Sequence, residues 1–203
     1  MKIFLNLLAA YSGGQLTRAR EFIDRFDDHS NGMSMVILKE EGILADYKTA
    51  GAIEVIDISI QKGLFRPIRR MLWENFKLNR LILEKECDSY LTFSHYLPRN
   101  VAKSVPSIVG VSNLAPFSRE AWNSESLTIK MKLFALKRTI LSSSRRSNKV
   151  IALSKECKKI LVDNNILDSK IVVCSFCLAS LLLGFNFSSH LRHISPPGPA
   201  IFA

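Results

Sequence analysis

Short apolar runs rich in Ile and Val recur along this chain and alternate with segments of helical periodicity. A strand whose successive side chains are all apolar is buried on both faces, as in parallel sheets that carry helices on either side. We therefore predict an α/β fold built on a doubly wound parallel sheet. The predicted strands are 3–8, 33–38, 53–58, 89–93, 107–111, 150–153 and 171–173.

Amphipathic patterns predict the main helices between these strands. The predicted helices are 15–26, 65–86, 127–141 and 155–164, the last capped by Ser154. In the helix 65–86, one broad sector is apolar and is predicted to face the core, whereas basic residues lie opposite. The apolar sector consists of Ile68, Met71, Leu72, Phe76, Leu78, Ile82 and Leu83, and the basic side consists of Arg69, Arg70, Lys77 and Arg80.

The chain is basic, with 28 Lys and Arg against 18 Asp and Glu and a formal net charge of +10. This favours anionic partners, although net charge does not choose between nucleic acid, acidic lipid and phosphorylated ligands. The four cysteines are too few and too scattered for a disulfide scaffold. Cys174 and Cys177 lack the second pair that would complete a metal site, so neither a metal nor a cofactor is predicted.

Ligands of doubly wound sheets bind beyond the carboxyl ends of the strands. The residues predicted to bind substrate or phosphate there are Gly13, Gly14, Gln15, Ser94, His95, Ser112, Asn113 and Ser154. The glycine pair precedes a helix, where the backbone can approach an anion closely; a tight turn is the simpler interpretation of the pair. His95 and Ser112 are candidates for catalysis, although the sequence assigns the catalytic role to no residue.

Four segments, in this order, resemble the N-terminal half of a family 4 glycosyltransferase of GT-B architecture. They are YSGGQLTRAREF after the first strand, CDSYLTFSHYLP at the fourth, SIVGVSNLAPFS at the fifth and RRSNKVIALSKECKKILVDN around the sixth. The resemblance implies a Rossmann-like acceptor domain over 1–173, facing a second domain that binds a nucleotide-sugar donor as co-substrate. It also implies retaining, metal-independent transfer of a hexose to a glycan or lipid-linked acceptor.

The resemblance implies that the loop of Gly13 and Gly14 lies against the diphosphate of the donor. Two departures from the family pattern stand out. At the end of the fifth strand, where many relatives carry His, this chain has Ser112. The segment 174–203 is apolar and Pro-containing and does not resemble a donor domain. A truncated or frame-shifted chain that is inactive alone is therefore expected.

The first apolar run is interrupted by Asn6 and fits a buried strand better than a secretory signal, so a cytoplasmic location is predicted. Between Lys130 and Lys149 every charged residue is basic and lies beside apolar residues at helical spacing. This pattern fits peripheral contact with an anionic membrane, or equally a core-packed helix with a solvated basic face.

A basic module that binds nucleic acid or a membrane surface without catalysis is the alternative to a transferase. The sequence has no helix-turn-helix, zinc-finger or RNP-type signature, so no nucleic-acid partner is expected.

Overall fold

Seven strands form one parallel sheet in the order β3-β2-β1-β4-β5-β6-β7. The central strand pairs with a strand on each side, because Phe4 lies opposite both Val36 and Tyr90. The predicted α/β class is therefore confirmed, with a Rossmann-like doubly wound sheet. The strands are β1 (Lys2–Asn6), β2 (Ser34–Glu40), β3 (Ile53–Ile58), β4 (Ser89–Thr92), β5 (Ser107–Val111), β6 (Lys149–Ala152) and β7 (Ile171–Val173).

The structure is a computed structural model, and it describes residues 1–10, 14–28, 32–61, 63 and 65–173. Gly13 and the segment 174–203, which includes Cys174 and Cys177, lie outside the described residues. The predictions for them stay predictions.

Seven α-helices occupy the connections of the described chain. They are α1 (Gly14–Asp28), α2 (Arg66–Trp73), α3 (Asn79–Glu84), α4 (Arg99–Ser104), α5 (Arg119–Ser124), α6 (Leu127–Arg146) and α7 (Lys155–Asp163). The predicted helix 127–141 extends five residues further, to Arg146. Two helices were not predicted, α4 and α5, because each has six residues and is too short to display a helical period.

Both faces of the sheet are buried, which explains why the strands are apolar throughout. On one face Leu5 packs with Phe22 of α1, and both side chains are almost completely buried. On the other face Phe4 packs with Leu78, Ile82 and Ile140 from the helices. Adjacent residues of β1 thus serve two separate cores, as the alternation of side chains along a strand requires.

The predicted apolar sector of the helix 65–86 is wrong for five of its seven residues. Ile68, Met71, Leu72, Phe76 and Leu83 are exposed by between 37% and 78%, and only Leu78 and Ile82 are buried. A π-helical turn, Glu74–Leu78, joins α2 to α3. Its wider turn shifts the helical phase by about one residue. Glu74 is fully buried and Arg70, predicted to be solvent-facing, is 14% exposed at its side chain, so both point inward.

Substitutions of two adjacent residues in α3 test which side of this helix faces the core. Ile82→Ala is expected to lower the free energy of unfolding by about 2–5 kcal/mol because it leaves a cavity in a fully buried position. Leu83→Ala, its matched control at a 56% exposed position, should cost less than about 1 kcal/mol. Urea unfolding of both variants measures the difference. If both variants lost the same free energy of unfolding, the orientation of α3 that buries Ile82 and exposes Leu83 would be contradicted.

Candidate functional site

The loops after β4 and β5 meet at the carboxyl edge of the sheet, because the two strands are parallel neighbours. His95 follows β4 and Ser112 follows β5. His95 is buried and adopts a left-handed backbone conformation with φ of 60°. Few residues other than glycine adopt this region readily, although His is among the more tolerant ones. The backbone thus turns sharply after β4 and directs the His95 ring back toward β5.

The imidazole of His95 is held between two elements of the sheet edge. Its Nδ1 lies 3.0 Å from the carbonyl oxygen of Gly110. A carbonyl oxygen can only accept a hydrogen bond, so Nδ1 carries the proton and donates it. In the neutral ring, Nε2 then has a lone pair. That atom lies 3.4 Å from the Gln15 side-chain nitrogen and 3.4 Å from Ser112 Oγ.

Burial lowers the pKa of His95 below its usual value of 6.5, and the nearby charge of Arg18 lowers it further. The bond to the Gly110 carbonyl opposes this shift. Since burial is the larger cause, the ring is neutral at neutral pH and Nε2 is an acceptor of hydrogen bonds. The site therefore offers one acceptor flanked by an amide and a hydroxyl that can donate.

Close packing fixes the position of the Gly110 carbonyl. A Cβ atom at residue 110 would lie 3.0 Å from the Phe93 ring, so only glycine fits there without moving that ring. The Phe93 carbonyl in turn accepts a hydrogen bond of 3.2 Å from the Gln15 side-chain nitrogen. The first turn of α1 is thereby tied to the loop after β4.

Two further predicted site residues lie at the same edge with contacts inside their own loops. Ser94 Oγ lies 2.8 Å from the Thr92 hydroxyl. The Asn113 side-chain oxygen accepts a hydrogen bond of 3.0 Å from the backbone N–H of Ala115. The structure thus brings Gln15, His95 and Ser112 together, but it uses these two side chains to shape turns.

Ser154 and Gly14 occupy helix starts. Ser154 Oγ accepts the backbone N–H of Cys157 at 3.0 Å and caps α7, as its sequence position predicts. Gly14 is the first residue of α1, and a Cβ atom there would be no closer than 3.6 Å to the Arg18 side chain. Packing against the described residues therefore does not require glycine at position 14.

Sequence reasoning missed a buried polar network beside this site. The side-chain amide of Asn6, at the end of β1, donates hydrogen bonds to Glu74 Oε1 at 2.8 Å and to the Tyr90 hydroxyl at 2.9 Å. Burial raises the pKa of Glu74, while Arg70 and the bond from Asn6 oppose the rise. Asn6 was visible in the sequence as a polar residue in an apolar run, but no local pattern marks Glu74 as its partner.

Within the ranges that the structure describes, no three His, Cys, Asp or Glu side chains are grouped to hold a metal ion. No helix among these residues is long and apolar enough to cross a bilayer.

Together, the sheet and its edge define a Rossmann-like domain with a small polar site at the carboxyl ends of β4 and β5. No family model matches the sequence, and no curated protein matches it significantly. Solved structures do match the fold. UGT73P12 of Glycyrrhiza uralensis, complexed with glycyrrhetinic acid 3-O-monoglucuronide, has a TM-score of 0.56 at 12% identity, over 92% of this chain and 50% of that one.

Two other matches belong to different enzymes. UDP-GlcNAc 2-epimerase of Methanocaldococcus jannaschii has a TM-score of 0.53 at 11% identity, over 85% of this chain and 44% of that one. The lipopolysaccharide outer core galactosyltransferase WaaB, in its apo form, has a TM-score of 0.51 at 13% identity, over 85% of this chain and 45% of that one. At such identities the likeness shows the fold alone, which is that of one half of a GT-B architecture. The chain spans about half the length of these structures.

The lowered pKa of His95 predicts a pH-dependent stability. As the pH falls below 6.5, unfolded His takes up a proton before folded His95 does, so the unfolded state is favoured. The stabilisation that His95 contributes through its lowered pKa is therefore fully present above pH 6.5. It decreases as the pH falls toward the lower pKa of the folded state.

The experiment compares the wild type with His95→Asn, since Asn also tolerates the left-handed backbone. The wild-type free energy of unfolding minus that of the variant should shrink between about pH 7.5 and about pH 5.5. Urea midpoints across this range measure it. Glu74 titrates in both proteins, so its contribution cancels. A difference that stays constant would show that His95 titrates normally.

Proposed function

We propose that this chain is the acceptor domain of a GT-B glycosyltransferase similar to family 4. Transfer would run from a nucleotide-sugar donor to a glycan or lipid-linked acceptor. The observation that carries the proposal is the convergence of Gln15, His95 and Ser112 at the carboxyl edge of a Rossmann-like sheet. This edge is where doubly wound folds bind their ligands.

The chemistry of the site suits a sugar. Sugar hydroxyls both donate and accept hydrogen bonds, and the three side chains supply both functions: neutral His95 accepts at Nε2, while the Ser112 hydroxyl can donate or accept. His95 carries no charge at neutral pH, which suits an uncharged ring. In this proposal the His95 ring takes the place at the end of β5 where many relatives carry a histidine in sequence.

Gly14 supports a role for the start of α1 in binding the donor. Unpaired N–H groups at a helix start stabilise a phosphate, and the absence of a side chain lets that phosphate approach the backbone. Gly14 is exposed, and packing of the chain leaves ordinary space at its Cβ position. We propose that turnover requires a second domain that binds the donor. The matched structures give no support to the alternative of a nucleic-acid-binding module.

Oligosaccharide binding by the full chain tests the acceptor role. Saturation-transfer-difference NMR against a panel of neutral oligosaccharides should detect at least one ligand. Gln15→Ala and His95→Asn should weaken that binding at least about tenfold, a loss typical of one or two buried hydrogen bonds. Lys132→Gln, a charge change on exposed α6, is the control and should bind as the wild type does. Absence of oligosaccharide binding together with salt-sensitive retention on DNA would contradict the proposal.

We propose that only part of the basic run from Lys130 to Lys149 contacts a membrane. The last three basic residues of the run donate hydrogen bonds to backbone carbonyls of the protein. Their bonds run from Arg145 to Asn164, from Arg146 to Leu97 and from Lys149 to Ser169. These bonds favour the first half of the run over its end as the part that contacts a membrane.

The first half of α6 has the exposed apolar and basic side chains that contact with an anionic membrane requires. Leu127, Met131 and Phe134 form one stripe at helical spacing and are 76%, 68% and 52% exposed. Lys130 and Lys132 flank Met131 on either side of this stripe. We propose that the stripe inserts at the surface of an anionic membrane while the two lysines contact lipid headgroups.

Vesicle sedimentation tests this contact. The double variant Met131→Gln/Phe134→Gln should bind phosphatidylcholine vesicles containing phosphatidylglycerol about tenfold more weakly, since it loses roughly 1.4 kcal/mol of apolar insertion. Leu83→Gln removes an equally exposed apolar residue from another helix and is expected to leave the binding unchanged. Equal binding by the double variant and the wild type would argue against the contact.

A further inference from the structure

A cleft rich in arginine opens beside the loop that follows β4. It lies between the π-helical turn, this loop, the start of α4 and the second half of α6, and its volume is about 700 Å³. This is within the usual range of small-molecule sites. The side chains that matter here are Asn75, Tyr96, Arg99, Arg138, Arg145 and Arg146.

The four arginines carry positive charge without compensation from an acid. The cleft lining contains no Asp or Glu. Within the described residues, none of the four forms a salt bridge. Like charges brought together without a counter-ion destabilise a fold, so such an arrangement is most often retained for an anion.

Arg146 shows the cost of this crowding most clearly. Burial lowers its pKa, and the neighbouring charge of Arg99 lowers it further. Its Nε is buried and has no hydrogen-bond partner. A bound anion would relieve both penalties, because it supplies negative charge and acceptor oxygens at the same place.

The arginines are also held in position before any ligand arrives. Arg146 donates to the Leu97 carbonyl at 2.6 Å and to Ser142 Oγ, and Arg145 donates to the Asn164 carbonyl at 3.1 Å. Such anchoring lowers the entropy that a ligand must remove from long side chains.

The acid next to the cleft residue Asn75 in the chain is already engaged. Glu74 is fully buried, and its carboxyl group accepts the hydrogen bond from Asn6. Asn75 itself lines the cleft and donates a hydrogen bond of 2.6 Å to the Tyr96 hydroxyl. The positive charge of the cleft is thus left for an external partner.

We infer that this cleft binds the phosphoryl group of a phosphorylated ligand. A phosphoryl group carries between one and a half and two negative charges and three acceptor oxygens, which several arginines can contact at once. A single carboxylate would neutralise only one of the four. Because His95 and Tyr96 belong to the same loop, the inference extends to a single ligand whose sugar binds at the His95 site and whose phosphate binds in the cleft. This last step rests on the proposed function and names the acceptor as a phosphorylated sugar, free or attached to a lipid.

Binding of inorganic pyrophosphate to the full chain tests the cleft independently of sugar transfer. Isothermal titration should show saturable binding to the wild type. Arg99→Gln and Arg138→Gln remove exposed side chains, so the fold should tolerate them, and each should weaken binding at least about fivefold. Arg146→Gln should weaken it more. Lys159→Gln removes an exposed charge of the same sign from α7, outside the cleft, and should leave the affinity unchanged.

Two further probes identify the source of the phosphate. Displacement of pyrophosphate by glucose 1-phosphate would assign a soluble sugar phosphate. Arginine-dependent sedimentation with phosphatidylcholine vesicles containing phosphatidic acid, without such displacement, would assign a lipid-linked one. The inference is overturned if pyrophosphate does not bind, or if Lys159→Gln weakens binding as much as Arg99→Gln does. If the wild-type chain binds pyrophosphate but no oligosaccharide, only the proposed transferase function is contradicted.

Discussion

The side-chain amide of Asn6 connects the centre of the sheet to the helices above it. It donates to Glu74 and to Tyr90, and its oxygen accepts the backbone N–H of Leu8 at 3.0 Å. All of these groups are buried, and leaving any one of them without a partner would cost about 1–3 kcal/mol. These bonds hold the π-helical turn over the end of β1, and they thereby also position the residues of the turn that follow Glu74.

One such neighbour is Asn75, which links the buried network to the surface. Because Glu74 points inward, Asn75 faces the loop after β4 and bonds to Tyr96. His95 precedes Tyr96 and turns in the opposite sense, toward β5 and the carbonyl of Gly110. A neutral polar site and a cationic cleft are thus built from adjacent residues of a single loop.

The sheet could be predicted because a parallel strand is apolar on both faces and is visible without tertiary information. The meeting of His95 with Ser112 also follows from topology, since parallel neighbouring strands end at the same edge. The inward face of α2 could not be predicted, because it depends on a change of helical period at the π-helical turn, which no apolar pattern in the sequence marks. The arginine cleft was hidden for another reason: Arg99 and Arg146 are far apart in sequence, and the basic run around Arg146 has the pattern of a surface helix.

The π-helical turn has a consequence for how this surface can vary over evolutionary time. In a uniform α-helix, the residues that face solvent and those that face the sheet are locked in one phase, so inserting a residue rotates everything beyond it. A wider turn absorbs the extra residue locally and leaves Leu78 and Ile82 in place. The exposed side chains of the segment from Arg66 to Trp73 can consequently change without repacking of the sheet beneath, as long as Arg70 stays beside Glu74 and Trp73 stays against the core.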